Sequence, residues 1–280
     1  MAGEVQDSKA FLCVTCGTQF APDWQVPATC PICADPRQYL GLDGQQWTTL
    51  TELRSKSHNV IVQEEPDLYS IHSDPPFAIG QRAFLLRTPA GNVLWDCIAL
   101  LDAQTIEAIE QLGGVAAIAI SHPHYYTTMI EWSAAFADAP IYLHEADRQW
   151  VMRPHANIHY WSGSEHSLFG NLRLLNTPGH FDGFQVLHWP AGAEGRGALL
   201  SGDQPQVCMD TDWVSFMWSY PNFVPLSIDV VKELMKQYEH YSFDRIYGAF
   251  PKRTVRANAK AALRQSAERY IRATGARLND

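Results

Sequence analysis

The chain has 280 residues, 46% of them hydrophobic, and 30 acidic side chains against 21 basic ones give a formal charge of −9. That apolar share excludes wholesale disorder, and an acidic surface repels phosphate backbones, so nucleic acid is not an expected partner. No apolar run approaches the roughly 18 residues a membrane span needs. The opening MAGEVQDSKAF lacks the basic-then-apolar pattern of a signal peptide. No membrane partner is therefore expected, and a reducing, cytoplasmic setting is.

The first element in chain order is a metal module. Cys13-Val-Thr-Cys16-Gly17 and Cys30-Pro-Ile-Cys33 form C-x2-C-x13-C-x2-C. Each pair sits on a tight turn that aims two thiolates at one centre, and two such turns complete a tetrahedral all-sulfur site. A segment this short buries too little apolar area to fold alone, so the metal supplies its folding energy. Residues 1–40 thus read as a four-cysteine zinc ribbon. The turns are similar to those of rubredoxin, an iron protein, but rubredoxin separates its pairs by a longer segment, which favours structural zinc here. Residues 41–65, polar and turn-rich with Trp47, read as a connecting segment packed on both modules.

From residue 66 the pattern alternates. Phe84 to Arg87 and Val93 to Trp95 flank TPAGN as a hairpin. Asp102 caps a helix to Leu112, and Val115 to Ile120 is an apolar run expected of a strand buried on both faces. A helix over 128–136, a strand over 141–143 and a helix from Glu145 to Met152 follow. Strands are expected over 172–175, 184–189, 198–201 and 245–247, with helices over 227–241 and 254–273. Lys252, Arg253, Arg256, Lys260, Arg264, Arg269, Arg272 and Arg277 are spaced as a solvated helix face. Strands alternating with helices predict an α/β layered domain over 66–280.

Polar punctuation falls at the strand ends. His122 and His124 follow one strand, Thr177-Pro-Gly-His180 another, and Gly202-Asp203 a third. Ligands of α/β folds gather at such edges. Histidines at i and i+2 in extended backbone project to one side and can share an ion. His144 also ends a strand, and His155, His159 and His166 lie in a loop able to overhang the site, but none of these is expected to bind metal. Cys97 and Cys208 read as ordinary thiols.

With that order of motifs, the chain resembles the metallo-β-lactamase fold superfamily, an αββα sandwich binding one or two metals through an H-x-H-x-D-H loop, a later TPGH-type His and a GD-type Asp. The resemblance implies that His122, His124 and His180 bind the first metal and that Asp203 matches the bridging carboxylate. The family's Asp and last His of that loop fall on Tyr126 and Thr127, and its final metal-binding His falls near Phe250. All three private ligands of the second metal are missing, which implies a one-metal version of a two-metal scaffold.

Three imidazoles and a carboxylate suit zinc and also allow iron or manganese. The expectation is a zinc hydrolase of a small ester, lactone, amide or thioester, with Asp203 as ligand or base, Tyr125 or Tyr126 as a donor beside the metal, and Asp182 orienting an imidazole. The aromatic run Asp212 to Phe223 suggests a pocket wall for an apolar or aromatic substrate. Two alternatives are a mononuclear iron oxygenase resembling the persulfide dioxygenases and a non-catalytic metal-binding scaffold. The aromatic content leaves room for a homodimer face.

Overall fold

A computed structural model describes residues 9–275, and Arg277 of the predicted basic face lies outside them. Seven strands form the first sheet in chain order: His58–Glu65, Leu68–Asp74, Ala83–Leu86, Val93–Trp95, Ala117–Ala119, Ile141–His144 and Ile158–Trp161. Its first four pair antiparallel, and from Val93–Trp95 onward neighbours run parallel. The second sheet holds Glu165–Ser167, Arg173–Asn176, Gln185–Trp189, Ala198–Gly202, Arg245–Gly248 and Thr254–Val255 in that order. Only its Ala198–Gly202 and Arg245–Gly248 pair is parallel.

Strand alternation builds the layers. Ala83 and Leu85 face outward into a core with the helices Ala103–Gln111 and Met129–Ala135, while Phe84 and Leu86 face the other sheet. In the second sheet Leu175, Val186 and Leu199 pack outward on the helices Ile228–Glu239 and Ala259–Ala273, and Leu174, Leu187 and Leu200 point inward. The inward sets meet Trp95, Trp161, Trp189 and Tyr247 in a dry layer between the sheets. Four layers, α-β-β-α, result. Asp102 and Ser227 cap their helices through bonds to the Thr105 and Val230 N–H groups, so both predicted starts hold. No described helix is long and apolar enough to cross a membrane.

Three local expectations change. Glu145–Trp150 is a 3-10 turn rather than an α-helix, too short to propagate α-helical bonds. The last helix begins at Ala259, because β-branched Thr254 and Val255 pair with Tyr247 and Ile246 instead. Residues 58–65, expected in the connecting segment, form the first sheet's edge strand.

Arg82 stitches the two sheets. It is buried, pairs with Glu64 at 2.8 Å, and donates to the carbonyls of Gly248 (3.0 Å) and Arg253 (2.9 Å) and to the Thr254 hydroxyl (3.0 Å). Replacing it with Leu removes the cation beside half-buried Glu64 and the donor to three acceptors of the second sheet. Arg82→Leu is expected to cost about 3–5 kcal/mol in urea unfolding; a loss under about 1 kcal/mol would show that the stitch is not structural.

Candidate metal centre

The loop after Ala117–Ala119 carries the first two histidines. His122 is extended, but Pro123–Tyr125 closes at once into a 3-10 turn. The two imidazoles are therefore brought together by the turn rather than by a continuous extended backbone, with ring centroids 4.9 Å apart. His180 enters from the loop after Arg173–Asn176, and Asp203 from the end of Ala198–Gly202. Gly202 sits at φ +55°, and a Cβ there would meet the Ser121 hydroxyl at 2.7 Å, so only glycine lets these two loops approach.

His122, His124, His180 and Asp203 are all buried, and one ligand atom from each lies within 4.8 Å of the others. His122 Nε2 is 3.3 Å from Asp203 Oδ2, and His180 Nε2 is 3.4 Å from His124 Nδ1. The outward nitrogens of two of them, His122 and His180, are tied elsewhere. His122 Nδ1 meets the Ser121 hydroxyl at 2.9 Å, and His180 Nδ1 donates to the Trp218 carbonyl at 2.8 Å. That bond leaves His180 Nε2 as a lone pair facing the centre. Burial holds all three imidazoles in the neutral form, pushing His180 down to about 3. Burial would raise the Asp203 carboxyl, but the close approach of His122 at 3.3 Å, with His180 and the Tyr125 hydroxyl, brings it below the usual carboxylate range.

This donor set fits a divalent cation. Ring nitrogens and a carboxylate oxygen crowd one point, and among the described residues the Nε2 atoms of His122 and His124 have no hydrogen-bond partner. A cation answers that crowding at ordinary ligand distances of about 2.0–2.2 Å. The sequence motifs thus meet at one place.

The other predicted site residues divide. Tyr125 donates its hydroxyl to Asp203 Oδ1 at 2.7 Å, leaving Oδ2 for the centre. Tyr126 makes no bond to the histidines or to Asp203 and joins the outer core of the first sheet. Asp182 is exposed and does not orient His180, a task that falls to the Trp218 carbonyl. His144 caps the following 3-10 turn, accepting from the Ala146 N–H. Phe250 lines the cavity beside His124, His180 and Asp203, about 110 Å³ in volume, where a ligand histidine was missing.

Several supports carried no motif. Asp96, also at a strand end, accepts from the Ser121 N–H at 2.7 Å, and burial pushes its carboxyl up to about 8. Gln204 accepts from the His180 N–H at 2.8 Å and donates to the Thr177 carbonyl, joining the TPGH and GD loops. Tyr220 donates to the Asp203 carbonyl at 2.7 Å. The strand-end position of Asp96 was the one available signal among them.

The second cluster is Cys13, Cys16, Cys30 and Cys33, all buried and unbridged, with Sγ contacts of 3.5 Å (Cys13–Cys33) and 3.8 Å (Cys16–Cys30). Gln45 braces it, donating to Cys13 Sγ at 3.3 Å and accepting from the Cys30 N–H at 3.0 Å. It too fits a metal ion.

The fold and these clusters define the class: a metallo-β-lactamase-fold protein with a four-cysteine cluster and a three-histidine, one-aspartate group. The structure of VMB-1 superposes at TM-score 0.58 and 12% identity, over 78% of this chain and 99% of that one. The DIM-1 metallo-β-lactamase does so at TM-score 0.57 and 14% identity, over 77% of this chain and all of the other. A metallo-β-lactamase from Cronobacter sakazakii gives TM-score 0.52 and 17% identity, over 76% and 92%. At those identities the likeness is one of fold. The chain belongs to the same family as the uncharacterized protein YmaE of Bacillus subtilis, with 48% identity over 270 residues, 96% of this chain and 98% of that protein. No protein-family model matches.

The His180 loop also rests on Asp147, which accepts from the Gly183 N–H at 2.9 Å. Burial pushes its carboxyl up to about 7 despite that bond. The folded protein therefore holds a proton that an unfolded aspartate releases near pH 4. Stability from this group is fully present below about pH 4 and is lost as pH rises toward 7. Asp147→Asn is expected to flatten that part of the stability profile and to raise Tm at pH 8 by about 3 °C. A slope and a Tm equal to those of the parent would contradict it.

Proposed function

We propose that the chain is a hydrolase of small carbonyl compounds that works with one zinc ion held by His122, His124 and His180, with Asp203 beside it as the general base. The observation that carries this reading is the convergence of four buried donor atoms in a site whose neighbouring positions are filled by other chemistry. Tyr126 is turned into the core, Thr127 gives its backbone carbonyl to the ribbon, and Phe250 lines the cavity. A bound zinc would supply Lewis acidity, polarising a carbonyl and acidifying water near neutral pH.

The chain's own groups do the rest. Asp203 Oδ2 faces the site and takes the proton of the attacking water, which it returns to the leaving group. Tyr125 holds the other carboxylate oxygen and keeps Oδ2 aimed inward. Ser121 and the Trp218 carbonyl fix the rings of His122 and His180. Phe250 and Ile79 keep one wall of the cavity apolar, which strengthens the polar contacts inside it.

Gln206, Tyr220 and Phe250 line both this cavity and a neighbouring groove of about 710 Å³. Trp213, Met217 and Phe223 from the predicted aromatic run line it. Arg253 and Arg269 bring two positive charges against the one carboxylate of Asp210. This supports a substrate with an apolar body and an anionic end, such as an ester or thioester of an acid.

Two experiments test the proposal. Elemental analysis of protein purified with excess zinc is expected to give two zinc per chain, and one per chain for His180→Ala; iron in the histidine site together with oxygen uptake would contradict it. In a panel of carboxylate-bearing esters, thioesters and lactones, Tyr125→Phe is expected to lower kcat about 10- to 100-fold with little change in KM. Unchanged kcat would remove Tyr125 from the mechanism.

A further inference from the structure

The four-cysteine ribbon reaches the histidine site through one arginine. Cys33 closes the second cysteine pair, and the chain then turns at Asp35, whose carboxylate accepts from the Arg37 backbone N–H at 2.9 Å. The same carboxylate grips the Arg37 guanidinium at two points, Nε at 2.7 Å and Nη2 at 3.0 Å. A two-point bond fixes the plane of a guanidinium as well as its position. The turn is in turn clamped to the main domain. Asn222 Nδ2 donates to the Pro36 carbonyl at 2.9 Å and the Gln38 carbonyl at 3.0 Å, and the Ser219 hydroxyl donates to the Arg37 carbonyl at 3.0 Å.

The free end of the fork, Nη1, donates to the His180 carbonyl at 3.3 Å. The guanidinium carbon lies 4.0 Å from the centre of the Phe181 ring, 5.2 Å from that of Trp150 and 5.7 Å from that of Trp218. Each of these neighbours leads to a metal cluster. Phe181 follows His180 and sets its ring against the imidazoles of His122, His124 and His180, at centroid distances of 5.6, 5.0 and 5.2 Å. Trp218 supplies the carbonyl that takes the His180 Nδ1 proton. Trp150 packs on the four-cysteine cluster and meets Phe181 edge to face. Arg37 therefore holds the backbone of one ligand, the ring beside it and the residue that sets its tautomer. Asp35 offsets its charge, so a cation can lie this near a metal centre without repelling it.

We propose that Arg37 is a positioning residue of the histidine site: through it the ribbon fixes the His180 backbone and Phe181, and so keeps His180 Nε2 turned toward His122 and His124. This rests on the metal-centre reading above. It makes the ribbon a part of that centre, which binds its metal more weakly once the Arg37 fork is lost, even with the four cysteines filled.

The test uses full-length protein whose ribbon is loaded with cobalt(II), as read from the thiolate-to-cobalt band. Further cobalt is added in competition with nitrilotriacetate, and the d–d absorption that develops after the thiolate band has saturated reports the histidine site. Arg37→Met keeps an apolar stem over Phe181 and removes the fork. It is expected to lower cobalt affinity at the histidine site about tenfold with the thiolate band unchanged. Asp35→Asn, which loosens the guanidinium and leaves Arg37 in the chain, should lower it by a smaller factor. Arg153→Ala is the control, because it cuts a different tie between ribbon and main domain, to Gln19 and to Glu131 at 2.7 Å, and should match the parent. Parental affinity in Arg37→Met, or an equal loss in Arg153→Ala, overturns the role of Arg37 and leaves the metal centre standing. If Arg37→Met loses the thiolate band, Asp35→Asn decides, and parental affinity there overturns the proposal. If the parent takes up no cobalt beyond the ribbon, the metal centre itself falls, and this inference with it.

Discussion

The structure is organised around four lone-pair donors forced together in a dry place. Three neutral imidazoles and a carboxylate are crowded along short contacts, and the surrounding rings of Phe181 and Phe184 exclude solvent. Without a cation such a cluster is repulsive and incompletely hydrogen-bonded. With one, each donor gains a partner at once. The rest of the edge is built to hold that geometry. The Trp218 carbonyl sets the His180 tautomer, Tyr125 occupies one oxygen of Asp203, and Gln204 ties the two loops that deliver His180 and Asp203. These contacts are short and buried, so an error in any one of them displaces a ligand rather than a surface side chain.

The second constraint is what fills the space around the ion. In this chain the loop that begins with His122 and His124 continues into Tyr125, Tyr126 and Thr127, and each is put to a different use. Tyr125 reaches back to Asp203, Tyr126 packs into the outer core, and Thr127 turns its carbonyl to Gln19 of the ribbon. Phe250 closes the far side with an apolar ring. A pocket so furnished supports the proposed single cation with an apolar approach. The four-cysteine ribbon, clamped through Asn222 and Ser219, completes the enclosure.

Much of this was legible in the sequence because the chemistry demands particular residue types at strand ends. H-x-H, TPGH and GD name the ligands, and the alternation of apolar runs places their strands. What escaped was encoded in backbone or in direction. Asp182 was a reasonable candidate to orient His180, but a carbonyl does that work, and carbonyls leave no mark on a sequence. Tyr125 and Tyr126 could not be ranked because their directions depend on the 3-10 turn, which rotates successive side chains by about a third of a turn instead of alternating them. The edge strand over 58–65 was missed because it is half-exposed and mixed in polarity, so it resembled the loop before it.

The most direct test of the account is anomalous diffraction, collected at the zinc absorption edge from a crystal grown in excess zinc. Two peaks are expected per chain, one among the sulfurs of Cys13, Cys16, Cys30 and Cys33 and one among the rings of His122, His124 and His180 beside Asp203. A third peak next to Phe250 and Thr127, or imidazoles turned away from an empty centre, would contradict it.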